Sequence, residues 1–249
     1  MSGQLIVGIH AVRTALKHGT QRIDALWFDA ARRDRRLREL LDEARLAGLR
    51  PQASDKVTLD RMTAGANHQG VVAQGELPTS LGEAALDALL GAIDVPPLLL
   101  VLDGVTDPHN LGACLRSADG AGVHAVIAPR DRAGGLTPVV CKVASGAAET
   151  VPFVQVTNLV RTLRYLQDSH RVFVVGAAGD AQLDLYQADL TGPLALVMGS
   201  EGEGMRRLTR ETCDQLVRLP MAGQVESLNV SVATGICLYE AVRQRRPDR

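Results

Sequence analysis

The stretch PMAGQVESLNVSVATGICLYE, residues 220–240, carries Glu226, Ser227, Asn229 and Ser231 just ahead of a helical spacing of Val232, Ile236 and Tyr239. One helix N-cap needs one short polar side chain, which Ser227 or Asn229 can supply. The other polar groups exceed that need and suit a ligand facing the irregular loop made by Pro220 and Gly223. A second stretch, GSEGEGM at 199–205, sets Glu201 and Glu203 among glycines. No Lys-Ser/Thr pair follows and two carboxylates repel phosphate, so this is no Walker-type cradle; it fits a neutral or cationic ligand. A third, DGVTDPHNLGACLRSADGAGV at 103–123, puts Asn110 where a helix can be capped and Arg116 within the first two turns of that helix. Each stretch alone also reads as an ordinary capped helix or tight turn.

The three stretches share a position: each follows an apolar run, LLLVL, LALVM or DQLVRL. Together with HAVIAP, FVQV and RVFVVGAA, these runs alternate with helical patterns such as NLVRTLRYLQD. Near-continuous apolar strands of this kind predict an α/β fold with a mostly parallel sheet and helices on both faces. Ligands of such sheets gather at the carboxyl ends of the strands, where all three stretches lie. Ahead of this region, residues 1–75 alternate helix (HAVRTALKHG, RRLRELLDEARLAG, TLDRMTAG) and strand (RIDALWFD, GVVAQ), which predicts a small separate α/β domain. Residues 76–97, a short amphipathic helix framed by prolines, read as a linker, leaving 98–249 as the second domain.

Composition narrows the chemistry. The chain has 249 residues, 46% of them apolar, enough for one large core or two smaller ones. No apolar run is long enough to span a bilayer and no basic-then-apolar leader opens the chain, so a cytoplasmic protein with no membrane partner is expected. Cys114, Cys141, Cys213 and Cys237 stand singly, and the six histidines form no ligand-spaced pair; free buried thiols and no metal are expected. Net charge is −1 overall, yet residues 1–75 hold 12 Lys+Arg against 8 Asp+Glu. Much of that excess lies in one helical segment, at Arg32, Arg33, Arg35, Arg36 and Arg38, which reads either as a phosphate-binding face or as a solvated surface neutralised by Asp34, Glu39, Asp42 and Glu43.

In order, spacing and wording, the three stretches resemble the three motifs of the SpoU/TrmH-like RNA ribose 2′-O-methyltransferases, over Leu98 to Gln244. The phrases VGIHAVRTAL and HQGVVA resemble the substrate-binding domain of one branch, which includes the bacterial enzyme methylating a guanosine ribose of 23S ribosomal RNA. The resemblance implies S-adenosylmethionine as cofactor, a homodimer, and a deep trefoil knot in the second domain (the SPOUT α/β knot), which periodicity cannot reveal because threaded chains are rare. It implies a small RNA-binding domain at 1–75, with Arg32, Arg33, Arg35, Arg36, His10, His68 and Gln69 toward RNA. It places Ala177, Met198, Gly199, Ser200, Glu201, Leu219, Pro220, Met221, Ser227, Leu228 and Asn229 around the cofactor.

The same resemblance gives Asn110, Arg116, Glu201, Ser227 and Asn229 as the catalytic set. Methyl transfer to a ribose hydroxyl needs alignment of two reactants and removal of a proton from a weak acid. A guanidinium is seldom a free base, so Arg116 is read as holding the phosphate beside the target ribose, with Asn110 and Asn229 maintaining geometry. Glu201 either anchors that arginine or takes the proton, and Ser227 relays it. The alternatives are a transfer-RNA ribose 2′-O-methyltransferase and a catalytically silent RNA-binding assembly factor of the same fold. Retention of polar residues in all three motifs argues against the silent factor.

Overall fold

A computed structural model of the chain describes residues 4–19 and 22–246; residues 1–3, 20–21 and 247–249 of the expected domains lie outside the described residues. The chain forms two compact units, one of residues 1–79 with 136–150, the other of 80–135 with 151–249.

In the first unit, β1 (Gln4–Val7), β4 (Val71–Gly75), β2 (Ile23–Asp29) and β3 (Gln52–Ser54) form a sheet in the order β1-β4-β2-β3. β4 runs antiparallel to β1 and β2, and β3 parallel to β2. Helices α1 (Ile9–Gly19), α2 (Arg35–Leu46) and α3 (Lys56–Met62) belong to this unit. In α2, Asp34 caps the first turn by accepting from the Leu37 N–H at 3.1 Å. Its Leu37, Leu40, Leu41 and Ala44 recur at three- and four-residue spacing and enter a core with Val12, Leu16 and Leu26. Each buried leucine contributes about 1.5–3 kcal/mol. The arginines of α2 occupy its other face. Gly48, at φ +85°, ends the helix in the left-handed conformation that glycine adopts without strain.

The second unit carries seven strands in the order β7-β6-β5-β10-β8-β11-β9, and every pairing is parallel. They are β5 (Leu98–Asp103), β6 (Ala125–Pro129), β7 (Phe153–Val156), β8 (Phe173–Ala177), β9 (Leu183–Asp184), β10 (Leu194–Gly199) and β11 (Gln215–Arg218). Side chains alternate between faces along a strand. Leu99, Val101, Ala195 and Val197 point to one face, where Leu86 and Leu90 of α4 (Glu83–Gly91) and Leu159, Leu163 and Leu166 of α8 (Leu159–His170) cover them. Leu98, Leu100, Leu102, Leu194 and Leu196 of the alternate register are buried too. On that side α10 (Val230–Arg245) packs on β10 and on α5 (Pro108–Gly120). α9 (Arg207–Thr212) lies against α8. The sheet is thus covered on both faces.

Two segments differ from the sequence reading. Within 76–97, Leu81 bridges to Val154 and α4 contributes to the second core, so this stretch beyond Thr79 is built into the unit. Helices α6 (Pro138–Ala144) and α7 (Ala147–Thr150) cluster with the first unit although they follow β6 in sequence. Among the described residues no helix is long and apolar enough to cross a membrane, and no group of three or more His, Cys, Asp and Glu could hold a metal ion. All four cysteines are free; Cys114 and Cys237 are buried, whereas Cys141 and Cys213 are only half-buried.

Candidate active site

The site begins at a switch in strand order. From β5 the chain proceeds to β6 and β7 on one side, while β10 and β8 lie on the other. Ligands of such sheets gather outside the carboxyl ends of the strands near such a switch. The last residues of these strands, Asp103 and Gly199, stand side by side in the register. Loops that are 96 positions apart in sequence thus start as neighbours.

Each loop is held locally. After β5, Asp107 caps α5 by accepting from the His109 and Asn110 N–H groups, both at 2.9 Å, with Pro108 at the first helical position. Asn110 is therefore not the cap, and Arg116 lies in the third turn rather than the second. With its backbone satisfied by Asp107, the Asn110 side chain is available to other loops. After β10 the chain doubles back tightly: Ser200 and Gly204 exchange backbone hydrogen bonds at 3.0 Å. A Cβ on Gly199 would stand 2.1 Å from the Gly204 carbonyl carbon, so no other residue fits there.

Asn229 joins the loops. Its Nδ2 donates to Asn110 Oδ1 at 2.9 Å and to Glu201 Oε1 at 2.5 Å. Its Oδ1 accepts from Ser231 N at 2.9 Å and Ser231 Oγ at 2.6 Å, capping α10. A primary amide has two donor hydrogens and two acceptor lone pairs, and all four are used. This accounts for the polar surplus ahead of the last helix: one side chain caps the helix and ties the first two loops to the third.

Beside this junction the loops after β8, β10 and β11 enclose a cavity of about 420 Å³. Ala177 lines it from β8, and Met198, Gly199, Ser200 and Glu201 from the end of β10. Leu219 and Met221 follow β11, and Ser227, Leu228 and Asn229 precede α10. Pro220, between Leu219 and Met221, is exposed and does not itself line the cavity. Ala178, Gly179 and Glu226 line the cavity as well. The size suits a nucleoside-containing cofactor. The charged lining residues are Glu201 and Glu226, with no Lys or Arg, so a cation is favoured and phosphate is not.

Arg116 is not part of this cluster. It is exposed and has no ion-pair partner among the described residues. Six residues beyond Asn110, it lies about 9 Å further along the helix and roughly 240° around it. The carboxylate of Glu201 bonds Asn229 instead of anchoring this arginine.

An ion pair that the motif reading missed supports the β10 loop. Asp103, 1% exposed, accepts from the Arg206 backbone N–H at 2.8 Å and from its Nε at 2.6 Å. It thereby fixes the far end of the loop that bears Glu201. The available signal was an acid closing the otherwise apolar run LLLVLD, a residue type that is seldom buried without a partner.

In the first unit, His10, Arg13, Arg32, Arg36 and Gln69 surround a second, basic hollow. His10, Arg32, Arg33, Arg35, Arg36 and Gln69 are all exposed. Arg32 pairs with Asp34 and Arg35 with Glu39, so part of the cluster is neutralised locally. His68 departs from expectation. It is buried, its Nδ1 accepts from the Gly70 N–H at 3.0 Å, and its Nε2 bonds Asp60 at 3.0 Å, leaving no ring nitrogen for RNA.

Comparison with known proteins fits this geometry. Residues 97–239 match the SpoU rRNA Methylase family, and residues 5–80 match a domain described as RNA 2′-O ribose methyltransferase substrate binding. The chain is 61% identical over 243 residues to the 23S rRNA (guanosine-2′-O-)-methyltransferase RlmB of Ralstonia nicotianae, covering 97% of this chain and 96% of that one. It is 57% identical to the protein of the same name from Shewanella oneidensis, covering 97% and 98%. Among solved structures, the SpoU methyltransferase AviRb from Streptomyces viridochromogenes in complex with the cofactor AdoMet aligns with TM-score 0.78 at 28% identity, over 98% of this chain and 91% of that one. The AdoMet-bound rRNA methyltransferase from Sinorhizobium meliloti aligns with TM-score 0.74 at 26% identity, over 96% and 86%. With three strand-end loops joined at Asn229 beside one acid-lined cavity and both units matched along nearly their whole length, the chain belongs to the SpoU rRNA methylase family.

Proposed function

We propose that this protein methylates a ribose 2′-hydroxyl of RNA with S-adenosylmethionine, and that the target is a guanosine of 23S ribosomal RNA. The observation that carries the reading is the Asn110–Asn229–Glu201 junction at the rim of a cavity free of cationic side chains. When bound, S-adenosylmethionine supplies a methyl group on a sulfonium. Leu219, Met221 and Leu228 would hold its apolar parts, and Glu201 and Glu226 its positive charge. The chain must then orient the ribose and accept one proton. Glu201 shares Oε1 with Asn229, while Oε2 has no partner among the described residues. We assign that oxygen as the proton acceptor, directly or through the Ser227 hydroxyl, with Asn110 and Asn229 fixing the direction of the carboxylate.

The role of Arg116 follows from its distance. A homodimer in which the partner subunit supplies this guanidinium to the RNA phosphate accounts for an exposed, unpaired arginine outside the cluster of its own chain. Exposure of Val232 and Tyr239, 50% and 51%, on the outward stripe of α10 supports burial of that stripe between two copies. The basic hollow of the first unit is read as the RNA-binding face, without His68. The family's knotted topology is assigned to residues 98–249 on the same grounds, and a ribosomal RNA substrate supports a cytoplasmic location.

The test is transfer of labelled methyl groups from S-adenosylmethionine to 23S ribosomal RNA by the purified protein, followed by mapping of the modified ribose. The expected product is one 2′-O-methylguanosine, lost in a strain lacking the gene. Label in transfer RNA alone would favour the transfer-RNA enzyme, and no cofactor binding by calorimetry would favour the silent factor.

A further inference from the structure

The cavity carries no cation, so the charges that guide RNA to it must stand outside. The loop after β6, residues 130–135, lies beside two of the three motif loops of the second unit, those after β5 and β10. A Cβ on Gly104 would lie 3.5 Å from Ser200 Cβ and 4.0 Å from the Arg132 carbonyl oxygen, so Arg132 and the residue preceding Glu201 border the same glycine. The loop is fixed there. Gly134 N–H donates to Val105 O at 2.9 Å, and a Cβ on Gly134 would meet Leu111, the neighbour of Asn110, at 2.9 Å.

Most arginines near the carboxyl ends of this sheet are already engaged. Arg206 pairs with Asp103, Arg207 with Glu211, Arg210 with Asp180 and Arg218 with Asp184. Arg130 directs Nη2 to within 3.7 Å of the Cβ position of Gly82, toward α4. Arg132 is exposed and has no ion-pair partner among the described residues. The adjacent acid, Asp131, borders a separate hollow with Arg206 and Arg207.

We infer that Arg132 is an RNA-binding residue of the second unit, contacting a backbone phosphate next to the target ribose from beside the loop that bears Glu201. The inference rests on the RNA methyltransferase reading and assigns a substrate contact that lies outside the three motifs. Arginine suits the task because its planar fork donates two hydrogen bonds to phosphate and it remains charged at any working pH.

The experiment compares wild type, Arg132→Gln and Arg171→Gln in methyl transfer to a 23S ribosomal RNA fragment over a range of salt concentration. Arg171 is a matched control. It too is exposed with left-handed backbone, φ +54° against +56°, but it precedes β8 and so stands at the amino end of the parallel strands, away from the motif loops. Arg132→Gln is expected to raise KM for RNA about tenfold, the loss of one charged hydrogen-bonded contact. The slope of log(kcat/KM) against log salt should shrink by about 0.7, one single-strand phosphate contact. kcat at saturating RNA and calorimetric affinity for S-adenosylmethionine should hold, and Arg171→Gln should match wild type. An unchanged KM and slope, a fall in kcat alone, or equal effects in both variants would overturn the inference. A wild-type protein that methylates no RNA would instead overturn the function on which it rests.

Discussion

Asn229 and Glu201, 28 positions apart in the chain, meet at 2.5 Å, and the amide that makes this contact also caps the last helix. Helix initiation and site assembly thus depend on one side chain. The two roles separate by substitution. Asn229→Ala removes the cap at about 1 kcal/mol and breaks the junction. Asn229→Asp keeps an oxygen for the Ser231 N–H but turns a carboxylate toward Glu201 and Asn110. Both variants should lose about 100-fold in methyl transfer, the cost of a misplaced reacting group. Only the alanine variant should lose the full cap contribution in thermal melting, and an active aspartate variant would sink the junction.

The Asp103–Arg206 pair is asymmetric, because the carboxylate is buried and the guanidinium half-exposed. Arg206→Ala leaves a buried charge with one backbone donor and should cost about 3 kcal/mol, the low end for a broken buried pair. Asp103→Asn leaves an arginine that water can solvate and should cost about 1–2 kcal/mol. Urea unfolding followed in both variants checks the order, and an asparagine variant less stable than the alanine variant would contradict it.

If Arg116 serves the partner subunit, two inactive chains can repair each other. Arg116→Ala and Glu201→Gln should each be inactive alone. Mixed and allowed to exchange subunits, half the dimers become heterodimers with one complete site, and about a quarter of wild-type activity should return. A mixture that stays inactive, under conditions where exchange is seen by mass spectrometry, would put the arginine in its own chain's site.

Glu240 predicts an acid limit to stability. It is buried in α10, and Arg243, donating Nε at 2.9 Å and Nη2 at 2.7 Å, holds its carboxyl below the usual value of 4.5. Gln244 also donates to it, at 2.8 Å, and ties α10 to the Leu190 N–H at 2.9 Å. A carboxyl whose pKa falls on folding adds stability above its unfolded value and loses it as pH drops through the folded value. The excess stability of wild type over Glu240→Gln should therefore be full at neutral pH and fade below about pH 4. Thermal melts of both proteins across that range measure it, and a difference independent of pH would refute the ionic contribution.

The sequence by itself determined the elements and the chemical equipment of their ends. Strands such as LLLVLD and helices such as RRLRELLDEARL are written in runs and spacings only a few residues long, and the structure repeats them. The surplus of polar groups before Val230 was visible for the same reason. Tertiary structure alone decided which groups meet. Adjacency of β5 and β10 brings Asp103 beside Gly199, but strand order depends on how distant segments bury their faces, which no local pattern records. That order gave Glu201 to Asn229 instead of Arg116, and it gave Asp103 to Arg206. Folding of the first unit likewise took both ring nitrogens of His68 out of RNA's reach. Residue types and spacing express short-range preferences, whereas hydrogen-bond partners are chosen by long-range packing among many compact alternatives.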